Sequence, residues 1–152
     1  MNEENTRKLL ERFSFIPRAN PLYPRGVVMP MSIDCEDGWF NLLWKLCEDI
    51  ERILLKPENG RLKEHFVVDQ IKEKYASLRF YVSCLDDGID TLIDRAEYDS
   101  CHTCEVCGEP GNPRGGGWYR TLCDKHALER GQMNVWELKW DAKYLERIGE
   151  KE

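Results

Sequence analysis

Residues 104–108 are Cys-Glu-Val-Cys-Gly, and residues 122–126 are Leu-Cys-Asp-Lys-His. Each segment places two metal-ligating side chains three positions apart, and residues 108–122 separate the two pairs. This spacing is typical of a Cys3His zinc site, in which four protein ligands close one structural Zn²⁺ ion. The predicted ligands are Cys104, Cys107, Cys123 and His126.

The first pair of ligands is a choice between two overlapping Cys-x-x-Cys pairs, because Cys101 stands three residues before Cys104. Gly108 favours the pair Cys104 and Cys107. A knuckle is the tight turn that carries two thiolates toward one ion, and a glycine directly after the second cysteine relieves it. We therefore expect Cys101 and His102 to lie outside the ligand set.

The residues around the ligands predict a local fold. Turn residues fill the segment 109–117, residues 118–120 can form a returning strand, and a helix is expected from Asp124. A knuckle, a hairpin and a helix in this order form a treble-clef-like zinc lobe at residues 101–131, which we call the Cys3His lobe. Some treble-clef proteins are nucleases with a histidine in the hairpin, but residues 109–122 contain no histidine.

The rest of the chain predicts an α+β fold, with helices packed on a small antiparallel hairpin. We expect an N-terminal helix and a proline-rich arm in residues 1–30, an α+β core in residues 31–100 and a C-terminal helix in residues 132–152. All of these and the Cys3His lobe are expected in one compact domain. A chain of 152 residues with 41% hydrophobic content can bury such a core.

Apolar periodicity predicts the core elements. Three- and four-residue steps over residues 38–56 predict a helix, with Asp37 as its N-cap. Alternation over residues 66–84 predicts a β-hairpin with its turn near residues 76–77. A second helix, with an acidic first turn, is expected over residues 86–98.

The segment after the Cys3His lobe has a mixed pattern. Trp136, Trp140 and Tyr144 recur every four residues, which favours a helix from Met133 to Ile148. Trp136, Leu138 and Trp140 also alternate, so a strand remains possible for part of this segment.

Composition limits the classes of function. The chain carries 22 Lys and Arg against 28 Asp and Glu, and its net charge of −6 argues against a surface dominated by nucleic-acid contacts. No apolar run approaches the length of a membrane span, about 18 residues, and the first residues, Met-Asn-Glu-Glu, do not form a signal peptide. We therefore expect no membrane contact and a cytoplasmic location.

Two groups of charged residues are candidate surfaces. A candidate acidic face, which suits either plain solubility or a basic protein partner, consists of Asp34, Glu36, Asp37, Asp86, Asp87 and Asp90. The first three carboxylates could also hold Mg²⁺, although acidic residues before a helix more often cap it. A small basic and aromatic surface on the lobe, for contact with nucleic acid, is predicted from Arg114, Trp118, Arg120 and Lys125.

An ordered series of motifs extends over residues 33–127. It comprises Cys-Glu-Asp-Gly-Trp-Phe at 35–40, Gln-Ile-Lys-Glu-Lys-Tyr at 70–75, Leu-Arg-Phe-Tyr at 78–81, Thr-Cys-Glu-Val-Cys-Gly at 103–108, Trp118, and Thr-Leu-Cys-Asp-Lys-His at 121–126. This series resembles a family of small uncharacterised zinc-binding (Cys3His) proteins of bacteriophages and prophages. The resemblance supports Cys104 as the first ligand, and it implies expression in an infected bacterial cytoplasm.

These observations together predict a zinc-stabilised, non-enzymatic protein-interaction module. The phage-like resemblance implies a host factor or a host-defence component as the partner. A nucleic-acid-binding regulator that uses the Cys3His lobe is the first alternative, and a metal-dependent nuclease or hydrolase is the second. The sequence leaves the oligomeric state open.

Overall fold

A computed structural model describes residues 1–19, 31–84, 86–137, 139–140 and 142–150 of the chain. These residues form a mixed α+β fold with a three-stranded sheet and a separate two-stranded hairpin, as predicted. The helices are α1 (Glu3–Arg12), α2 (Phe40–Leu54), α3 (Gly60–His65), α4 (Asp87–Ser100), α5 (Asp124–Glu129) and α6 (Ala142–Ile148). The strands are β1 (Ile33–Asp34), β2 (Val68–Lys74), β3 (Ser77–Val82), β4 (Asn112–Arg114) and β5 (Arg120–Leu122). Most of the predicted proline-rich arm, residues 20–30, lies outside the described residues.

The three-stranded sheet is built on the predicted hairpin. Strands β2 and β3 pair in antiparallel fashion, and Tyr75 and Ala76 form the turn with φ of 53° and 64°. The turn thus begins one residue earlier than expected. The short strand β1, which the sequence analysis missed, pairs in parallel with β2 through Ile33 opposite Ile71.

The core lies between the sheet and the helices α1, α2 and α4. Fully buried apolar side chains on these helices include Leu9, Leu43, Ile50 and Ile89. Burying each such side chain contributes about 1.5–3 kcal/mol relative to leaving it in water. Among the described residues, none of the helices is long and apolar enough to cross a membrane.

The two acidic residues that precede the core helices have different roles. Asp86 caps α4, because its Oδ1 accepts a hydrogen bond of 3.0 Å from the Ile89 backbone N–H. The prediction that Asp37 is the N-cap of the first core helix, α2, is wrong. A 3₁₀ turn at Asp37–Trp39 precedes α2, and the Asp37 carboxylate instead accepts from the backbone N–H of Asn2 and the side chain of Asn5, at 2.9 and 3.0 Å.

The predicted helix from Met133 to Ile148 is wrong in its first half. Among the described residues of this segment, only those of α6 are helical, and residues 134–136 lie along β4. The backbone N–H of Trp136 donates to the Pro113 carbonyl at 2.8 Å, and Gly115 N–H donates to the Asn134 carbonyl at 2.9 Å. The open edge of β4 supplies hydrogen-bond partners to this segment, and these outweigh a weak helical pattern.

Candidate metal centre

Four side chains, two from the knuckle and two from the start of α5, meet at one point. One ligand atom from each of Cys104, Cys107, Cys123 and His126 lies within 4.8 Å of the other three. His126 Nδ1 is 3.4 Å from Cys104 Sγ and 3.2 Å from Cys123 Sγ, and the sulfurs of Cys107 and Cys123 are 3.9 Å apart. Ligands of a tetrahedral ion with bonds of about 2.0–2.3 Å lie about 3.5–3.8 Å from one another. The cluster therefore has the dimensions of a four-coordinate metal site.

The first two ligands lie on the knuckle. Gly108 has φ of +80°, and its backbone N–H donates a hydrogen bond of 2.8 Å to the Cys104 carbonyl. An L side chain is strained in this conformation, so the turn requires the glycine. Cys101 lies outside the cluster, since its thiol donates to the Glu97 carbonyl at 3.4 Å. His102 is also outside, with Nδ1 donating to the Tyr98 carbonyl at 2.9 Å.

The last two ligands lie at the start of α5. Cys123 is the N-cap residue, and His126 follows it on the first turn. The backbone N–H of His126 lowers the pKa of the Cys123 thiol, whereas burial and then the Cys104 thiol raise the pKa of Cys107 to about 11. A cation bound here would lower the pKa of Cys107, because it stabilises the thiolate. Nε2 of His126 faces the Glu129 carboxylate at 3.8 Å.

The Cys3His lobe has a very small apolar core. Its buried cluster consists of Cys104, Leu122 and Ala127, with Val106 and Cys123 packed against them. So few apolar contacts cannot offset the entropy of ordering the knuckle, hairpin and helix. The lobe therefore depends on the four ligands and on its contacts with the rest of the chain.

The start of the core helix packs directly on the knuckle. Gly38 N–H donates to the Glu105 carbonyl at 2.7 Å, and Trp39 Nε1–H donates to the Thr103 carbonyl at 2.8 Å. A Cβ atom on Gly38 would lie 2.6 Å from the Glu105 carbonyl oxygen and from the Gly108 nitrogen. No side chain fits at this contact, so the sequence Asp-Gly-Trp at residues 37–39 joins the core to the metal centre.

Glu105, between the first two ligands, is a buried carboxyl group that the sequence analysis did not single out. It is 1% exposed, its Oε1 accepts from the Glu36 backbone N–H at 3.0 Å, and Arg120 lies 3.5 Å from its Oε2. Burial raises the pKa of Glu105 to about 7, against the attraction of Arg120. Glu36 also pairs with Arg120 and accepts two hydrogen bonds of 2.8 Å from Arg130. These ion pairs add a polar contact between the core and the lobe.

The predicted nucleic-acid surface is only partly exposed. Arg114 is 3% exposed, and its guanidinium donates to the carbonyls of Leu122 and Met133 and to Asp124 at 2.5 Å. Its placement on a surface is therefore wrong, and its role is structural. Arg120 is held by Glu36 and Glu105. Trp118 and Lys125 remain exposed.

The six acidic residues do not form one face. The first three, Asp34, Glu36 and Asp37, lie in β1 or just after it. The other three, Asp86, Asp87 and Asp90, lie at the start of α4. Asp34 lies opposite Lys72 in the register of β1 and β2, near the turn of the β2–β3 hairpin. Ser100, at the end of α4, accepts from the Leu78 backbone N–H near the same turn, so α4 begins at the opposite end of the sheet. Among the described residues, the Cys3His cluster is the only group placed to share a metal ion.

No family model matches the chain, and the searches of curated proteins and of solved structures returned no match. Fold and site nevertheless define a class. The chain is a mixed α+β protein whose knuckle, hairpin and short helix carry a Cys3His cluster that could hold one metal ion.

Proposed function

We propose that the protein is a zinc-stabilised, non-enzymatic protein-interaction module. The observation that carries this proposal is the closed ligand set, in which three thiolates and one imidazole lie within 4.8 Å of one another. Three thiolates and a histidine are a ligand set that Zn²⁺ binds in structural sites. Four protein ligands occupy every tetrahedral position, which leaves none for a water nucleophile or a substrate.

The proposed role of the Zn²⁺ ion is to fold the Cys3His lobe. Structural zinc contributes on the order of 10 kcal/mol to the folding of small lobes. The buried cluster of Cys104, Leu122 and Ala127 is too small to do this alone. Since Gly38 and Trp39 bind the knuckle, the ion also fixes how the lobe is seated on the core.

The proposed working surface lies where the tips of the two hairpins meet. We define the aromatic surface as Tyr75, Trp118, Tyr119 and Trp136. Trp118 is 70% exposed, Tyr75 59% and Tyr119 39%. The ring centroids of Tyr119 and Trp136 are 4.6 Å apart, and those of Tyr75 and Tyr119 are 6.3 Å apart. Exposed neighbouring aromatic rings are typical of protein interfaces, where Tyr and Trp are enriched.

The setting of the interaction comes from the resemblance to phage proteins. It supports a bacterial host protein or a host-defence component as the partner. The nucleic-acid alternative gains no support from the structure, because Arg114 is buried and Arg120 is held by two carboxylates.

Two measurements test the proposal. Metal analysis of the purified chain should find one Zn²⁺ per molecule, and Co²⁺ substitution should give the visible absorption of a tetrahedral thiolate site. The zinc-loaded chain should then capture a bacterial protein that binds again after purification, measured by calorimetry. A chain that folds without metal, or that captures no such partner, would contradict the proposal.

Matched variants make the capture specific. Trp118→Ser and Tyr75→Asn remove exposed rings from the aromatic surface, and asparagine tolerates the positive φ of residue 75. Both variants should lose the partner while keeping zinc. Leu55→Ser removes a comparably exposed apolar side chain (60%) just past the end of α2, about 20 Å along the helix from the knuckle, and should keep it.

A further inference from the structure

A hollow of about 260 Å³ lies between the tips of the two hairpins. Its lining consists of Glu73, Lys74, Tyr75, Gly117, Trp118 and Tyr119. Three of these six residues carry aromatic rings and one carries a carboxylate. The hollow lies on the aromatic surface and is separate from the Cys3His cluster.

The carboxylate of Glu73 has a fixed position in the wall. Its Oε1 accepts a hydrogen bond of 2.8 Å from the Ala76 backbone N–H, and its Oε2 accepts one of 3.2 Å from Trp118 Nε1–H. The Thr121 hydroxyl donates to the Ala76 carbonyl at 2.6 Å, which ties the turn of one hairpin to the returning strand of the other. The rings and the carboxylate are therefore held together before any ligand arrives, which lowers the entropic cost of binding.

We propose that this hollow binds an organic cation, namely the ammonium or guanidinium end of a Lys or Arg side chain on a protein partner. The proposal names the partner chemistry of the interaction surface and so rests on the proposed function. Aromatic faces carry a negative quadrupole that attracts such cations, with the strongest effect at Trp. The Glu73 carboxylate adds a full negative charge, and the net charge of −6 favours the approach of a basic partner.

A cation of the chain itself already lies against a ring of the hollow. Lys74 Nζ is 5.6 Å from the centroid of the Tyr75 ring. Lys74 lines the hollow, so it competes with an incoming cation and repels it. Removing the Lys74 charge should therefore strengthen binding, whereas removing the Glu73 charge should weaken it.

Stacked nucleic-acid bases are a different occupant for exposed aromatic rings. A phosphate backbone needs several free basic groups beside the rings, but the lining contains only one, Lys74, and the Glu73 carboxylate offsets its charge. The nearby Arg120 is already paired with Glu36 and Glu105. The observations thus favour a cationic side chain over a nucleotide.

The test is a titration of the zinc-loaded, ¹⁵N-labelled full chain with choline and with its neutral isostere 3,3-dimethylbutan-1-ol. Choline should shift the indole N–H signal of Trp118, which is assigned by its loss in Trp118→Ser. The neutral isostere should bind about tenfold more weakly, because it lacks the charge that the rings attract. Acetylated lysine and arginine methylamides then show which cation the hollow prefers.

Variants separate the proposed contacts from general charge effects. Glu73→Gln should weaken choline binding, and Lys74→Gln should strengthen it. Lys143→Gln, which removes an exposed charge on α6, is the matched control and should change nothing. Metal content and circular dichroism report whether each variant keeps the fold.

The proposal is overturned if choline and its isostere bind equally, if the shifts fall outside the hollow, or if a short oligonucleotide shifts the same signals more strongly than choline. Failure of the cation site is distinguishable from failure of the proposed function. A chain that binds choline but captures no protein has the cation site and refutes the interaction module. A chain that captures a partner but binds no cation is an interaction module and refutes the cation site.

Discussion

The backbone N–H of Gly38 donates a hydrogen bond of 2.7 Å to the carbonyl oxygen of Glu105, so the start of the core helix is bound directly to the metal knuckle. The approach is close on both sides, because a Cβ atom on Gly108 would lie 3.0 Å from the Gly38 carbonyl oxygen. Two glycines thus face each other across the contact between core and lobe. The seating of the lobe depends on the absence of side chains here.

Gly38→Ala should destabilise the protein by about 3 kcal/mol, because the added methyl group meets backbone atoms that cannot move without opening the knuckle. Chemical denaturation of the zinc-loaded chain measures this change. Gly60→Ala, at a helical position with nothing within 4 Å of the added Cβ, is the control and should be neutral or stabilising by up to about 1 kcal/mol. Equal stabilities of the two variants would contradict the close contact at Gly38.

Cys104→Ser and His126→Ala should each reduce the bound zinc to below one ion per chain and lower the unfolding temperature. A chelator should reproduce the second effect in the unmodified protein if the lobe needs the proposed Zn²⁺ ion to fold. Cys101→Ser is the matched control, since Cys101 is buried only three residues from Cys104 but bonds to the Glu97 carbonyl. If Cys101→Ser lost zinc while Cys104→Ser kept it, the ligand assignment would be wrong.

Local patterns were enough to predict much of this structure. The cysteine spacing and Gly108 identify the four clustered side chains, and the apolar periodicity predicts α2, α4 and the β2–β3 hairpin. In each case the information lies within a few residues along the chain. The positive φ of Gly108 is such a local requirement, and the residue type alone indicates it.

The features that were missed depend on partners far away in the sequence. From the sequence alone, Glu105 is expected to be a solvated carboxylate. In the structure it accepts a hydrogen bond from the backbone N–H of Glu36, 69 residues earlier. Aspartate often caps helices, yet the Asp37 carboxylate accepts its hydrogen bonds from Asn2 and Asn5. Residues 134–136 fit either a helix or a strand, and the free edge of β4 determines the outcome. Side-chain pattern alone does not contain these long-range contacts.

The ion pair between Arg12 and Glu51 predicts a pH-dependent contribution to stability. Arg12 holds α1 against α2 through hydrogen bonds of 2.8 Å, and its guanidinium lowers the pKa of Glu51. A lowered pKa in the folded state stabilises the protein above the ordinary Glu value of about 4.3, and this contribution is lost as the pH falls through the folded pKa.

Glu51→Gln should therefore destabilise the protein at pH 7 by about 0.5–1 kcal/mol, a small value because the pair is partly exposed. The difference between the variant and the unmodified chain should shrink toward zero below about pH 4, and taking this difference cancels any loss of metal common to both. Unfolding curves at a series of pH values measure it. A difference that grew on acidification would have the wrong sign for this ion pair.

Arg114→Ala should destabilise the protein by about 1–3 kcal/mol, because it removes the guanidinium that donates to the carbonyls of Leu122 and Met133, whereas the exposed Asp124 carboxylate remains solvated. Lys125→Ala, which removes an exposed cation from the same lobe, should change stability by less than about 0.5 kcal/mol. Denaturant titrations of both zinc-loaded variants compare the two. A stable Arg114→Ala variant that had lost affinity for DNA at low salt would instead place this arginine in a nucleic-acid surface.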